Sequence, residues 1–242
     1  MELKYNSCVK VYPCGFNKTT TFNKRVFNPN GLRPFDDLPV RTDYTKQDNI
    51  TRSDSLKRGI DKIYDIAVLN DFQYFITFTL DSNKLDRFDY TLINTKLKKW
   101  LSNAVQRQDA MYLVVPELHK NGAVHFHGLI SGNFDLVDSG YKTKKGVTIY
   151  NLKNWGYGFT TAIPLDDNKV ATAKYICKYI TKDTKRILGN LYYAGGKGLV
   201  REPIKYYENI QYYDALGKEY DIPLAGLKVK YYTSEVSEYD GI

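Results

Sequence analysis

Cysteine is scarce in this chain of 242 residues, with Cys8, Cys14 and Cys177 its only thiols. Three cysteines make neither an even disulfide framework nor a zinc-ligand spacing, which excludes a disulfide-stapled secreted scaffold and points to free thiols in a reducing compartment. Cys8 and Cys14 alone are close enough in sequence to pair or to share a metal. No apolar run approaches the ~20 residues that a membrane-spanning helix needs, and no leader-like segment opens the sequence, so a soluble intracellular protein is expected. A Walker phosphate-binding loop is missing too. Gly195-Gly196-Lys197-Gly198 is too short and wrongly spaced, which excludes a fused helicase motor built on such a loop. Histidine is equally rare: His119, His125 and His127 are the only three, all between positions 119 and 127.

What the chain has in excess is positive charge and tyrosine. A net charge of +8 and a pI near 9.1 favour binding to a phosphate backbone through counterion release. Among the 22 tyrosines, several alternate with lysine, as in Lys205-Tyr206-Tyr207 and Lys228-Val229-Lys230-Tyr231-Tyr232. Such mixtures suit single-stranded nucleic acid, because rings stack on unpaired bases while cations follow the backbone. The same pattern is equally that of ordinary surface strands. Thr143-Lys144-Lys145 adds a basic loop as a candidate DNA contact.

The length suits one α+β domain with decorations, or at most two small domains. Residues 1–52 mix short apolar alternations with Pro, Asn and Gly, and read as an N-terminal extension. From Ser53, apolar residues at Leu56, Ile60, Ile63, Tyr64 and Ala67 recur at helical spacing behind a cap at Ser53 or Asp54. Gln73 to Leu80 reads as a buried strand and Leu85 to Gln106 as an amphipathic helix. Met111 to Glu117 and the segment from Val124 read as strands joined by an Asn121-Gly122 turn. Residues 132–155 look like a Gly- and Lys-containing insertion, Gly156 to Ile163 a further strand, and Asn168 to about Leu188 a helix. That order predicts an antiparallel β-sheet with helices packed mainly on one face, a core over 53–188, and a Tyr-rich C-terminal accessory segment over 189–242.

The histidine strand Val124-His125-Phe126-His127-Gly128 carries the first chemical signal. Side chains alternate across a strand, so His125 and His127 project from one face about 6 to 7 Å apart while Phe126 enters the opposite layer. One divalent ion fits between two such imidazoles. A hairpin brings Glu117 back toward them, and a carboxylate beside two imidazoles is a mixed ligand set suited to Mn²⁺ or Mg²⁺, with positions left for water and a phosphate oxygen. His119 is the rival third ligand, and also reads as a solvated loop histidine.

The second signal is Tyr175-Ile176-Cys177-Lys178-Tyr179-Ile180-Thr181-Lys182. At about 100° per residue, Tyr175, Lys178, Tyr179 and Lys182 fall within an arc near 100°, opposite Ala173, Ile176, Cys177 and Ile180, which would dock the helix on a sheet. A phenol is a poor nucleophile at its ordinary pKa near 10, and attack on a phosphodiester requires its charge to be stabilised and the phosphate polarised. Lysines meet part of that need, a metal the rest.

Residues 70 to 185 together resemble the HUH endonucleases, and within them the rolling-circle replication initiators of small single-stranded DNA phages and plasmids. Phe75-Ile76-Thr77-Phe78-Thr79-Leu80 is similar to the first motif and His125-Phe126-His127 to the second. Glu117 stands where the family commonly supplies a third metal ligand, and the YxxK signature occurs twice, as Tyr175 to Lys178 and Tyr179 to Lys182. The resemblance implies a palm-like core and a metal-dependent, site-specific nick in single-stranded or hairpin origin DNA. In that reaction a tyrosine joins the 5′ phosphate, a 3′ hydroxyl is released as primer, and the phosphotyrosine conserves the bond energy for rejoining. It further implies Mn²⁺ or Mg²⁺ on Glu117, His125 and His127, and Lys178 and Lys182 as phosphate or phenolate stabilisers. It implies no small-molecule cofactor, a bacterial host cytoplasm, and a host helicase or other replication proteins as further partners. Either both tyrosines alternate, or one attacks while the other supports substrate. Two rival readings stay open: a plasmid relaxase or transposase with the same chemistry, and a non-catalytic single-stranded DNA-binding protein with structural histidines.

Overall fold

The computed structural model describes residues 4–29, 53–180, 189–222 and 226–235. In chain order its elements are β1 (Ser7–Tyr12), β2 (Phe16–Phe22), α1 (Ser53–Leu69), β3 (Tyr74–Leu80), α2 (Tyr90–Gln108), β4 (Met111–Leu118), β5 (Val124–Ser131), β6 (Leu136–Lys142), β7 (Thr148–Leu152), β8 (Gly158–Pro164), α3 (Lys169–Cys177), β9 (Tyr193–Gly195), β10 (Ile204–Glu208), a short 3-10 turn (Tyr212–Asp214), β11 (Lys218–Ile222) and β12 (Leu227–Glu235). The fold is α+β, with two antiparallel sheets. The chain forms two compact units, residues 48–202 and residues 1–47 with 203–242. No helix among the described residues is long and apolar enough to cross a membrane, and the three cysteines form no disulfide.

The larger unit is a seven-stranded sheet in the order β6-β7-β8-β3-β5-β4-β9. Alternation sorts its side chains. Ile76, Phe78 and Leu80 of β3 and Val124, Phe126 and Ile130 of β5 turn to one face, where they bury with Ile93, Leu97, Trp100, Leu101 and Ala104 of α2. Phe78 packs on Trp100 and Trp155 with ring centroids 5.0 and 4.7 Å away. The other face carries Phe75, Thr77, His125 and His127, and α1 and α3, packed on each other, cover it.

Several boundaries differ from expectation for local physical reasons. The helix expected from Leu85 starts at Tyr90, because Asp86 accepts from Phe88 N–H and Asp89 caps the helix by accepting from Leu92 N–H, both at 2.9 Å. Pro116, read as a strand end, lies inside β4 opposite Phe126. It is tolerated there because β9 pairs only with Tyr112 to Val114, leaving the backbone at Pro116 with no ladder partner on that side among the described residues. The insertion over 132–155 contains the hairpin β6–β7, closed by a turn at Thr143–Val147 with Gly146 at φ +81°. The boundary drawn at 188 stops short of β9, and the chain just before that strand is tied back: Leu191 reaches so close to α1 that a Cβ at Gly59 would lie 2.7 Å from its Cδ1.

The smaller unit is a five-stranded sheet in the order β10-β1-β2-β12-β11. Segments read as separate N- and C-terminal extensions thus meet in one ladder, β1 on β10 and β2 on β12. Its interior holds Tyr12, Cys8 and Val229, and a buried Ser7–Thr21 hydroxyl pair at 3.1 Å.

Candidate active site

Three neighbouring strands build the site. The register sets Thr77 of β3 and Val115 of β4 on either side of His127, and Thr79 and Glu117 on either side of His125. Period-two alternation places both imidazoles on the face covered by α3, while Phe126 between them is fully buried on the α2 side. The Asn121-Gly122 turn forms as expected, with Gly122 at φ +86° donating to His119 O at 2.8 Å. It returns β5 beside β4.

Although Glu117 stands opposite His125 in the ladder, its carboxylate reaches diagonally and meets His127 Nε2 at 2.6 Å. On the other side of the ring, Thr77 Oγ1 lies 3.2 Å from Nδ1. A neutral His127 therefore donates from Nε2–H to the carboxylate and accepts at Nδ1 from the threonine hydroxyl. Burial pushes the His127 pKa below its ordinary value, against the opposing hydrogen bond and charge of Glu117. His125 is pushed down to about 4, first by burial and then by the neighbouring His119, His127 and Arg87, with Glu117 opposing. Both rings are thus neutral near pH 7, the form whose lone pairs bind metals. His119 is no isolated loop residue: its exposed ring lies against His125 with centroids 3.8 Å apart.

The tyrosines arrive from α3, which Asn168 caps by accepting from Ala171 N–H at 2.9 Å. Ala173, Ile176 and Ile180 are buried as the sequence periodicity requires. The regular helix ends at Cys177, short of the expected Leu188. Over the next residues the bonding tightens to i→i+3, with Lys178, Tyr179 and Ile180 N–H groups reaching Tyr175, Ile176 and Cys177 carbonyls at 3.1 to 3.3 Å. Such a turn advances about 120° per residue in place of 100°, so Tyr179 swings past the position that a continuous α-helix would give it.

The result is an asymmetric pair. The Tyr179 ring lies flat on His127, centroids 3.6 Å apart and planes 17° from parallel. Tyr175 stays 45% exposed, edge-on to Phe75, with Lys178 Nζ 5.5 Å from its ring centroid. The Tyr179 hydroxyl donates to the Tyr175 oxygen at 2.9 Å. Burial, that hydrogen bond and the Glu117 charge all push the Tyr179 phenol above its ordinary pKa. Lys182, with the rest of 181–188, lies outside the described residues.

Among the described residues, no three His, Cys, Asp or Glu side chains already surround one ion position. The donor chemistry nevertheless fits a hard divalent cation. His127 Nε2 and Glu117 Oε2 converge at 2.6 Å, close to the ~3.0 Å between adjacent donors on an octahedral ion with ~2.1 Å bonds. His125 is the adjacent third donor, now turned toward His119. Arg87, which sequence reasoning missed, lies near enough for its charge to act on His125, and its Nε is buried with no hydrogen-bond partner among the described residues.

The lysine-tyrosine runs of the smaller unit are less free than their sequence implied. Lys228 pairs with Glu219 at 3.2 Å, and Lys230 Nζ donates to the carbonyls of Tyr212, Tyr213 and Ala215. Tyr207 packs against Tyr5 and Phe27, whereas Tyr206 is 60% exposed.

Residues 73–184 match the model of a replication-associated protein family, described by its ORF2 and gene 2 proteins. The matched stretch runs from the start of β3 through α3, and so contains the histidine strand, Glu117 and both tyrosines. It supports a replication-associated protein of the initiator kind, and with it an interaction with DNA. No curated protein and no solved structure matches the chain.

Proposed function

We propose that this protein is a rolling-circle replication initiator that nicks single-stranded or hairpin origin DNA through a tyrosine and rejoins the strand when a round ends. The observation that carries this reading is the flat packing of Tyr179 on His127, which draws the phenol pair of α3 and the Glu117–His127 pair onto one patch of sheet. A structural role for the histidines gives no reason for the two tyrosine hydroxyls to gather there.

Glu117, His125 and His127 would hold a Mn²⁺ or Mg²⁺ ion, which when bound polarises the scissile phosphate and offsets charge developing on it. Ligation through Nε2 requires the His127 proton to sit on Nδ1, and Thr77 then accepts it, since a hydroxyl serves in either direction. Tyr175 is the better first nucleophile, because it is exposed, lies beside Lys178 and receives a hydrogen bond that stabilises its anion. Its oxygen forms a bond to phosphorus as the bond from phosphorus to the 3′ oxygen breaks. The phenol proton passes to solvent, and the departing 3′ oxygen takes up one proton to become the hydroxyl. Reversal by a 3′ hydroxyl restores the phosphodiester and frees the tyrosine.

Incubating the protein with 3′-labelled single-stranded DNA containing its origin, with Mn²⁺ or with EDTA, tests the reading. A label that migrates with the denatured protein only when Mn²⁺ is present is expected. DNA that is bound equally in both conditions and never becomes attached would establish the non-catalytic binder instead. A graded version acts on the outer hydrogen bond: Thr77→Val should weaken Mn²⁺ binding by about tenfold, as loss of a partner to a ligating histidine commonly does. Calorimetric titration of Mn²⁺ into wild type and variant measures it.

A further inference from the structure

Beside the tyrosines lies a cleft of about 620 Å³ that the proposed chemistry does not use. Phe75, Tyr175 and Tyr179 furnish its aromatic side, Lys144 and Lys145 at the β6–β7 turn stand at one margin, and Asp166 in the β8–α3 connection stands at another. The turn is ordered by two bonds between Thr143 and Val147, Thr143 N–H to Val147 O at 2.8 Å and Val147 N–H to Thr143 Oγ1 at 3.1 Å. Asp166 accepts the Asn168 N–H at 3.1 Å through Oδ1, leaving Oδ2 as an acceptor.

Opposite charges at two margins of an aromatic cleft give it a polarity. A phosphate is drawn to the lysines and repelled by Asp166, while a base amino group finds its acceptor at Asp166 and its stacking surface on the rings. From this arrangement, and resting on the nicking reading above, we infer that the cleft holds one unstacked nucleotide next to the scissile phosphate. Its backbone is clamped by Lys144 and Lys145, and its base carries an exocyclic amino group. Thymine, which has none, is disfavoured. The β6–β7 hairpin is then a strand clamp, and Asp166 a specificity-determining residue.

Binding measurements in EDTA, where no cleavage intrudes, test this. Fluorescein-labelled (dC)20 and (dT)20 are titrated with the full chain over a range of salt by fluorescence anisotropy. Lys144→Gln with Lys145→Gln should weaken binding to both strands roughly tenfold near 0.1 M salt and reduce the slope of log K on log salt by about 1.4, two contacts at ~0.7 each. Lys99→Gln with Arg107→Gln removes the same charge from exposed positions on α2, on the opposite face of the sheet, and should leave that slope unchanged. Asp166→Asn should reduce an expected preference of about fivefold for (dC)20 over (dT)20 to less than twofold. Thermal melting of each variant checks that it is folded.

An unchanged slope in the Lys144/Lys145 variant, an equal loss in the α2 control, or a preference that Asp166→Asn does not move would overturn the inference. A wild type that forms no covalent adduct yet shows these shifts keeps the cleft and loses the nicking reaction. An adduct-forming wild type without the shifts does the reverse.

Discussion

Tyr175→Phe is expected to lower covalent adduct formation more than about 10³-fold, whereas Tyr179→Phe should retain it within roughly 10- to 100-fold of wild type. The difference follows from what each ring does. Phenylalanine at 179 keeps the stack on His127 and loses one hydrogen bond to the attacking oxygen. A hydrogen bond to a charged group contributes about 1.5 to 3 kcal/mol, and each ~1.4 kcal/mol is a factor of ten in rate. Phenylalanine at 175 removes the nucleophile itself. Tyr179 substitutes poorly, because burial raises its pKa and its hydroxyl is held by Tyr175 rather than by a basic side chain. Quantifying the adduct on denaturing gels and mapping it by peptide mass spectrometry decides the matter. An adduct at Tyr179 that forms at the wild-type rate in Tyr175→Phe would reverse the assignment.

His127→Gln and Glu117→Ala should each lower adduct formation by at least about 10³-fold in Mn²⁺, which corresponds to losing ~4 kcal/mol of charge stabilisation at the phosphate. Single-stranded DNA binding in EDTA should change by less than about threefold, since phosphate contacts by lysine and arginine dominate such affinity. His127 is the more informative of the two, because Glu117, Thr77 and Tyr179 all converge on its ring. Melting temperatures separate a lost ligand from a lost fold. His119→Ala supplies the contrast. Its ring is exposed and touches the site through His125, so a loss under about tenfold is expected. A loss matching that of His127→Gln would make His119 the third ligand in place of Glu117.

The two predictions differ in what they test. The tyrosine pair asks which oxygen attacks, and rests on the tightened turn after Cys177. The Glu117 and His127 variants ask whether an ion is held at all, and rest on the register of β4 against β5. Either can fail while the other stands.

Much of the site was legible in the chain because it depends on local periodicity. Alternation along Val124 to Gly128 fixed both imidazoles on one face and Phe126 in the core, whatever the sheet around them. Asn121-Gly122 specified a return of β5 beside β4, hence Glu117 near the histidines, since only a few residue types accept positive φ in so tight a turn. Spacing along Tyr175 to Ile180 separated a buried stripe from the phenols. Other features arise from contacts between residues far apart in sequence, which no local pattern encodes. Tertiary packing chose His127 over His125 as the partner of Glu117, tightened the end of α3 so that Tyr179 turned inward while Tyr175 stayed exposed, and set the lysines of the β6–β7 turn at the cleft beside the tyrosines. It also joined the chain's two flanking segments in one sheet, through pairings between residues about two hundred positions apart.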